Sequence, residues 1–366
     1  MANFKIGDVL DYIQPTKYIV LSSIYSNKYD IPVLTPGDSF ILGYTNEKIG
    51  VYKASKNNPV ILFDDFTTSI KWVDFPFKVK SSACKILVPR KNCNMRYMYY
   101  LMKYINFDHS QHKRYWISEY SKIEIKQKQY EIQEHIVEVL DHINNLINSK
   151  YYEINYLDQL IKSRFIEMFG DIIENPKGWP TDSLKNITDV RDGTHDSPKY
   201  VQDGYPFITS KNITNGDIDF SNVQYISKED YQHIEVRSHV DDGDILMPMI
   251  GTVGGAIIVK KDRDFAIKNV CLIKFKNSEK VTNVFIKYVL NSEQMMSHLE
   301  NIKKGGNQPF VSLGTLRSLN VVLPPLDIQK EFEKFVQQID KSKFIVQQQI
   351  KELQELLDSK MDEYFR

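Results

Sequence analysis

The feature that most constrains this chain is that it contains one plan twice. Glu131-Ile132-Gln133 and Asp327-Ile328-Gln329 lie 196 residues apart, and each opens a long helical pattern. At that single offset the apolar positions coincide without a gap. Ile136, Val139, Leu140 and Ile143 match Phe332, Phe335, Val336 and Ile339, and further on Ile154, Leu157, Leu160, Ile161 and Phe169 match Ile350, Leu353, Leu356, Leu357 and Phe365. Steps of three and four residues make an apolar stripe along one helix face. Neither segment holds a proline or an interior glycine before Gly170, which predicts two helices, each roughly 55 Å long at about 1.5 Å per residue. Helices of this length cannot bury a stripe against themselves, so pairing as an antiparallel coiled coil is the economical solution. Lys150 and Lys343 fall on or near the stripe, so the seam is mixed. The alternative is that each helix docks separately on its own globular domain.

The repeat continues upstream in shorter blocks. Ile31-Pro32-Val33-Leu34-Thr35 matches Tyr205-Pro206-Phe207-Ile208-Thr209, and Pro59-Val60-Ile61-Leu62-Phe63 matches Gly243-Asp244-Ile245-Leu246-Met247. Cys84-Lys85-Ile86-Leu87-Val88 is set beside Cys271-Leu272-Ile273-Lys274-Phe275, and Ile117-Ser118 with 122–125 beside Val311-Ser312 with 318–321. Each copy reads as short strands rich in β-branched and aromatic residues, one or two helices (95–106 and 284–290 fit), a last strand and the long helix. The expected class is α/β (α+β): globular parts at 1–130 and 171–326, long helices at 131–170 and 327–366. The loops between the matched blocks, such as 43–49, 67–72, 109–115, 192–199, 210–217 and 303–308, have little in common. A constant frame with two unlike loop sets is expected of a chain that reads two different things.

Charge is zero overall but unevenly spread. Residues 1–130 carry 19 Lys/Arg against 11 Asp/Glu, whereas 171–326 carry 18 against 20. The first part is therefore a basic domain able to attract a polyanion. The hydrophobic content of 42%, with 22 tyrosines and 19 phenylalanines, excludes disorder as the dominant state. No apolar run approaches the ~18–20 residues of a membrane span, and the N-terminus lacks a signal-peptide layout. Three cysteines without a C-x-x-C pair fit a reducing cytoplasm.

No catalytic constellation is expected. Gly251-Thr252-Val253-Gly254-Gly255 is neither G-x-G-x-x-G nor a Walker loop and reads as a tight turn between strands at 245–250 and 256–260. Leu323-Pro324-Pro325-Leu326 lacks the Asn and the aromatic of amino-methyltransferases and reads as a strand stop before a helix start. Glu124-Ile125-Lys126 has no acidic partner before it, and its counterpart is Asn320-Val321-Val322. His109 and His112 lack further ligands at metal-site spacing. Cys84 and Cys271 sit in apolar runs and read as buried small side chains.

The chain resembles the specificity subunits of type I restriction-modification systems over essentially its whole length. The resemblance rests on Leu323-Pro324-Pro325-Leu326-Asp327-Ile328-Gln329 leading into a long helix, and on Asp192-Gly193-Thr194-His195 with Pro198 after Gly178-Trp179-Pro180. It also rests on Gly204-Tyr205-Pro206-Phe207-Ile208 leading to Lys211-Asn212-Ile213, on Gly243-Asp244-Ile245-Leu246 and on Gly251-Thr252-Val253-Gly254. The first copy departs, with Gln127-Lys128-Gln129-Tyr130 at the Pro-Pro junction and Phe63-Asp64-Asp65-Phe66 at the glycine turn. The resemblance implies two target-recognition domains that bind the halves of a split, asymmetric site on double-stranded DNA. It implies a helical spacer and dock for two methyltransferase subunits, which bind S-adenosylmethionine and methylate adenine, with restriction/translocase subunits joining the assembly. No cofactor is implied in this chain.

Base edges and phosphates are met by Arg, Lys, amide and hydroxyl side chains and by backbone N–H groups. In the second domain the candidates are Thr194, His195, Lys199, Ser210, Lys211, Asn212, Thr252, Lys304, Asn307 and Gln308. In the first they are Thr45, Asn46, Thr68, Lys71, His112, Lys113, Arg114 and Tyr115. The competing expectations are a repeat-built protein-interaction adaptor, an enzyme whose site is not apparent, and the specificity subunit of a related two-subunit restriction system.

Overall fold

The computed structural model describes residues 3–366 apart from Asp38, Lys91, Asn92, His109, His112, Gln127, Asn215, 251–254, Lys276, Asn277 and 303–309. The chain divides into two units, residues 1–151 with 348–366, and residues 152–347.

Both units are built on the same mixed helix-and-sheet frame. In the first, a four-stranded antiparallel sheet runs in the order Leu10–Ile13, Cys84–Pro89, Val60–Asp64, Ile70–Val73. In the second, the order Asp189–Asp192, Val270–Lys274, Ile245–Pro248, Ile257–Ile258 repeats it strand for strand. A second sheet contains one parallel pair in each copy, Ile31–Leu34 with Lys78–Val79 and Tyr205–Ile208 with Ala266–Ile267. The segment before the first sheet strand and the segment before the long helix close each frame as an antiparallel pair, Asn3–Lys5 with Glu124–Lys126 and Thr181–Ser183 with Asn320–Val322. The strand Val60–Asp64 reads as an unbroken apolar run because both of its faces are covered: Ile61 and Phe63 join one buried cluster, Val60 and Leu62 another. The second copy adds the hairpin of Ile213–Thr214 with Asp217–Ile218 and the helix Lys228–Ser238.

The long helices run Tyr130–Phe169 and Leu326–Phe365. Inside each unit the first half of one lies against the second half of the other. In the second unit Arg164 meets Glu331 at 2.9 Å while Asp158 meets Lys343 at 2.6 Å, so numbers fall on one helix as they rise on the other, and the pair is antiparallel. The two arrangements weighed from the sequence coexist. Phe165, Phe169 and Phe332 share one cluster with the sheet residues Ile245 and Ile273, and Ile136 and Leu140 share another with Leu357 and Phe63. Each fully buried large side chain of this kind contributes about 1.5–3 kcal/mol.

A short helix anchors both long helices in each unit, and the repeated motif explains how. The short helices are Met95–Tyr104, capped by the Asn94 side chain, and Asn283–Leu290, capped by Thr282. Gln133 Oε1 accepts from the Asn94 N–H at 3.4 Å, and Gln329 Oε1 accepts from the Thr282 N–H at 3.0 Å. The same glutamines donate to carbonyls that precede their own helices, Gln133 to Lys128 at 2.8 Å and Gln329 to Pro324 at 2.8 Å. The far end of the opposite long helix arrives at the same short helix through an aromatic contact, Phe365 with Tyr97 at 5.4 Å and Phe169 with Phe285 at 4.8 Å between ring centres.

One element of the sequence alignment is corrected by the ladder register. Ile61 pairs with Leu87 and Cys84 with Asp64 in the first unit, whereas Ile245 pairs with Ile273 and Cys271 with Met247 in the second. With Ile61 and Ile245 equivalent, Cys271 corresponds to Lys85 and not to Cys84. A shift of one residue reverses the face, and accordingly Cys84 packs with Leu62 and Ile86 while Cys271 packs with Met247 and Ile273.

Candidate nucleic-acid interface

In the second unit two of the candidate loops, at 192–196 and 208–212, come together at one edge of the main sheet. Pro248 lies opposite Val270, and Asp192 lies opposite Cys271, so the ends of two strands flank the start of the central one. The loop leaving Asp192 is tied to the parallel pair: the Thr194 N–H donates to Ile267 O at 3.0 Å, and the Lys268 N–H donates to Ile208 O at 2.8 Å. Ile208 leads directly into the turn Ser210–Asn212. The segments 192–196, 208–212 and 266–270 therefore meet. Gly193 makes this approach possible, because a Cβ there would lie 2.4 Å from Ile267 O. Ile250 bridges Phe310, which brings the flanks of the glycine turn and of the Lys-Lys-Gly-Gly loop together. Thr252, Lys304, Asn307 and Gln308 themselves lie outside the described residues.

The candidates here differ in what they present. His195, Lys199 and Lys211 are exposed, and Ser210 is half-buried. Asn212 is buried, with its amide oxygen accepting from the Thr209 N–H at 3.0 Å and its amide nitrogen donating to Asp219 O at 3.3 Å. Thr194 is buried too, its hydroxyl accepting from the Asp196 N–H at 3.0 Å. Both side chains are thus buried and tied into their own loops, whereas the sequence suggested exposed positions.

In the first unit the equivalent edge carries Thr68, Lys71, Lys113 and Arg114. Thr68 sits in the turn after Val60–Asp64 with φ 56°. Lys71 is on the following strand, opposite Leu62. The 113–116 segment is fastened to the same edge by Asp65, whose carbonyl accepts from the Tyr115 N–H at 2.8 Å and whose carboxylate accepts from the Trp116 N–H at 2.9 Å. Asp65 and Lys85 form an ion pair at 3.4 Å with both side chains 1% exposed. Lys113 pairs with Glu119, which holds its ammonium in the charged form above the ordinary range, and Arg114 lies over the Phe66 ring at 5.9 Å.

Of the other described first-unit candidates, one is on the fastened segment but buried and two lie elsewhere. Tyr115 is 1% exposed, its hydroxyl donating to Gln111 O at 2.6 Å, so it is a core anchor of the basic loop. Thr45 is equally buried and ends the strand Ile41–Thr45, where it lies opposite Ile31 at the start of the neighbouring strand, and exposed Asn46 follows it. The other end of that neighbour, Leu34, leads to Pro36, whose carbonyl accepts from Ser69 Oγ at 3.0 Å beside the Thr68 turn. His112 lies outside the described residues. Among the described residues no group of three His, Cys, Asp or Glu side chains has metal-site geometry, and no helix is long and apolar enough to cross a membrane.

One frame thus occurs twice in the chain, and its two copies carry unlike polar loops. Comparison with known proteins is specific. The type I restriction modification DNA specificity domain matches residues 176–355. The type I restriction enzyme EcoR124I/EcoR124II specificity subunit of Escherichia coli is 31% identical, over 92% of this chain and 85% of that protein. The MjaVIII specificity subunit of Methanocaldococcus jannaschii is 25% identical over the same shares. Among solved structures, the S subunit of a type I system from M. genitalium aligns over 100% of this chain and 96% of its own, at TM-score 0.54 and 13% identity. A chain from a structure of type I system assembly and conformational transition aligns at TM-score 0.57 and 14% identity. This chain belongs to the family of type I restriction enzyme specificity subunits.

Proposed function

We propose that this chain is the DNA-reading subunit of a restriction-modification assembly and performs no chemistry itself. Each unit binds one half of a split, asymmetric duplex site through the loops at its main sheet edge. The long helices set the separation of the halves and dock two adenine-N6 methyltransferase subunits, with restriction/translocase subunits joining them. S-adenosylmethionine is bound by the methyltransferase partner. The observation that carries this reading is the duplicated frame with two different loop sets at equivalent edges. The excess of basic residues in 1–130 fits a polyanionic partner, and three free cysteines fit a reducing cytoplasm.

The test is base-resolution mapping of N6-methyladenine in cells that express this chain with its neighbouring methyltransferase, beside cells lacking the chain. A split motif that appears only with the chain is the expected result. Active methyltransferase with no chain-dependent motif would overturn the reading and favour a protein-interaction adaptor.

A further inference from the structure

The strand end that precedes the His195 loop carries a constellation absent from the sequence reading. Asp192 is 5% exposed, and its carboxylate meets an arginine and a histidine that are themselves open to solvent. One oxygen pairs with Arg237 Nη2, and the other lies 3.0 Å from His195 Nε2; the Arg237 and His195 side chains are 62% and 63% exposed. His195 Nδ1 lies 2.7 Å from Asn269 Oδ1, so that ring is held on both nitrogens. Asn269 stands at φ 53° in the loop between the strands Ala266–Ile267 and Val270–Lys274.

Arg237 is fixed at its backbone as well. It lies in the last turn of the helix Lys228–Ser238, and its carbonyl accepts from Arg191 Nη1 at 3.2 Å. Arg191 is in turn gripped by Asp189, at 2.9 Å from Nε and 2.6 Å from Nη2. Two adjacent residues of one strand, Arg191 and Asp192, thus hold the backbone and the guanidinium of the same arginine. One guanidinium nitrogen is committed to Asp192, and the fork keeps further N–H donors in a known plane. A phosphate can accept an arginine from many directions. The two-acceptor edge of a guanine in the major groove needs the fork in a set orientation.

Resting on the DNA-reading function above, we propose that Arg237 is a specificity-determining residue that reads a guanine in the second unit's half-site, and that Asp192 is the positioning residue that aims it. The copy-specific helix Lys228–Ser238 delivers Arg237 to the edge where the His195 and Ser210 loops meet. It places a guanidinium fork at this edge although acidic residues outnumber basic ones across 171–326.

The experiment maps N6-methyladenine for the wild type, Arg237→Ala, Arg237→Lys and Asp192→Asn, each expressed with the same methyltransferase, with circular dichroism of the purified chains as a folding control. The wild type yields a split motif. Arg237→Ala relaxes one guanine-containing position in one half by on the order of ten- to a hundredfold, leaving the other half unchanged. Arg237→Lys relaxes the same position, because an ammonium lacks the fork, and Asp192→Asn does so more weakly. An unchanged motif with evenly reduced methylation in Arg237→Ala, restored by Arg237→Lys, would identify a phosphate contact and overturn the proposal. An unchanged pattern in every variant, or complete loss of methylation by folded Arg237→Ala, overturns it too. Failure of the wild type to give any chain-dependent motif would instead remove the function on which it rests.

Discussion

Gln329 offers the sharpest test of how the repeat is assembled, because its isosteric replacement by methionine removes hydrogen bonds without opening a cavity. Gln329 is 0% exposed and makes three bonds to backbone: it accepts from the Thr282 N–H at 3.0 Å and donates to Lys280 O at 3.0 Å and Pro324 O at 2.8 Å. Gln133, its counterpart, is 2% exposed and makes two, one of them at 3.4 Å. A net hydrogen bond contributes about 1 kcal/mol, and a buried group left without a partner costs roughly 1–3 kcal/mol. The bond to the Pro324 carbonyl is buried and the other two are partly covered, which sums to about 3–4 kcal/mol for Gln329→Met. Gln133→Met is expected to cost about half as much. Two units need not unfold in one step, so the measurement is amide hydrogen exchange of the helix Asn283–Leu290, which reads local opening. At about 1.4 kcal/mol per tenfold, exchange there should accelerate on the order of a hundredfold or more in Gln329→Met. The helix Met95–Tyr104 should change far less on Gln133→Met. Acceleration below tenfold for Gln329→Met, or a larger effect at Gln133, would refute the idea that this glutamine locks the short helix to the long one.

Two further outcomes are expected. Asp65→Asn leaves Lys85 charged and buried, so it should destabilise the first unit by about 3–5 kcal/mol; urea unfolding followed by fluorescence of Trp72 and Trp116 measures this, and a loss under 1 kcal/mol would contradict the buried pair. Burial pushes the Cys271 thiol up to about 12, and a thiol raised in the folded state stabilises fully below its unfolded pKa and loses that contribution as pH rises towards the folded value. Raising the pH from about 9 to about 12 should therefore destabilise the second unit, and a Cys271→Ala chain should show a shallower loss in the same titration.

The long helices were legible because period, length and the absence of helix breakers all agreed over some forty positions. The short helices were legible too, although 95–106 ends two residues earlier, at Tyr104. The weaker blocks were legible only as strands. Between two runs such as Cys-Lys-Ile-Leu-Val and Cys-Leu-Ile-Lys-Phe, nothing local separates a match from a match displaced by one. Hydrogen-bonded neighbours decide it, and here they make Cys271 the counterpart of Lys85. The position that holds Cys271 in an apolar cluster holds, in the other copy, the lysine of the Asp65 ion pair. The frame is therefore less symmetric inside than its helices imply, and the asymmetry is where the basic loop of the first unit gains its anchor.

The site residues were harder for the same reason. Composition marks polar loop residues, but a loop that must hold one shape uses some of its polar groups on itself. Asn212 satisfies Thr209 and Asp219, Thr194 satisfies Asp196, and Tyr115 satisfies Gln111. Each is the kind of residue that reads DNA, and each is already engaged. Arg237 is not legible in the sequence because it lies in a helix without loop character, and only the fold delivers its side chain to Asp192, 45 positions earlier in the chain. In a duplicated reader, the side chains free to meet a base are those left over once each loop has satisfied its own backbone, and that remainder is set by contacts distant in sequence.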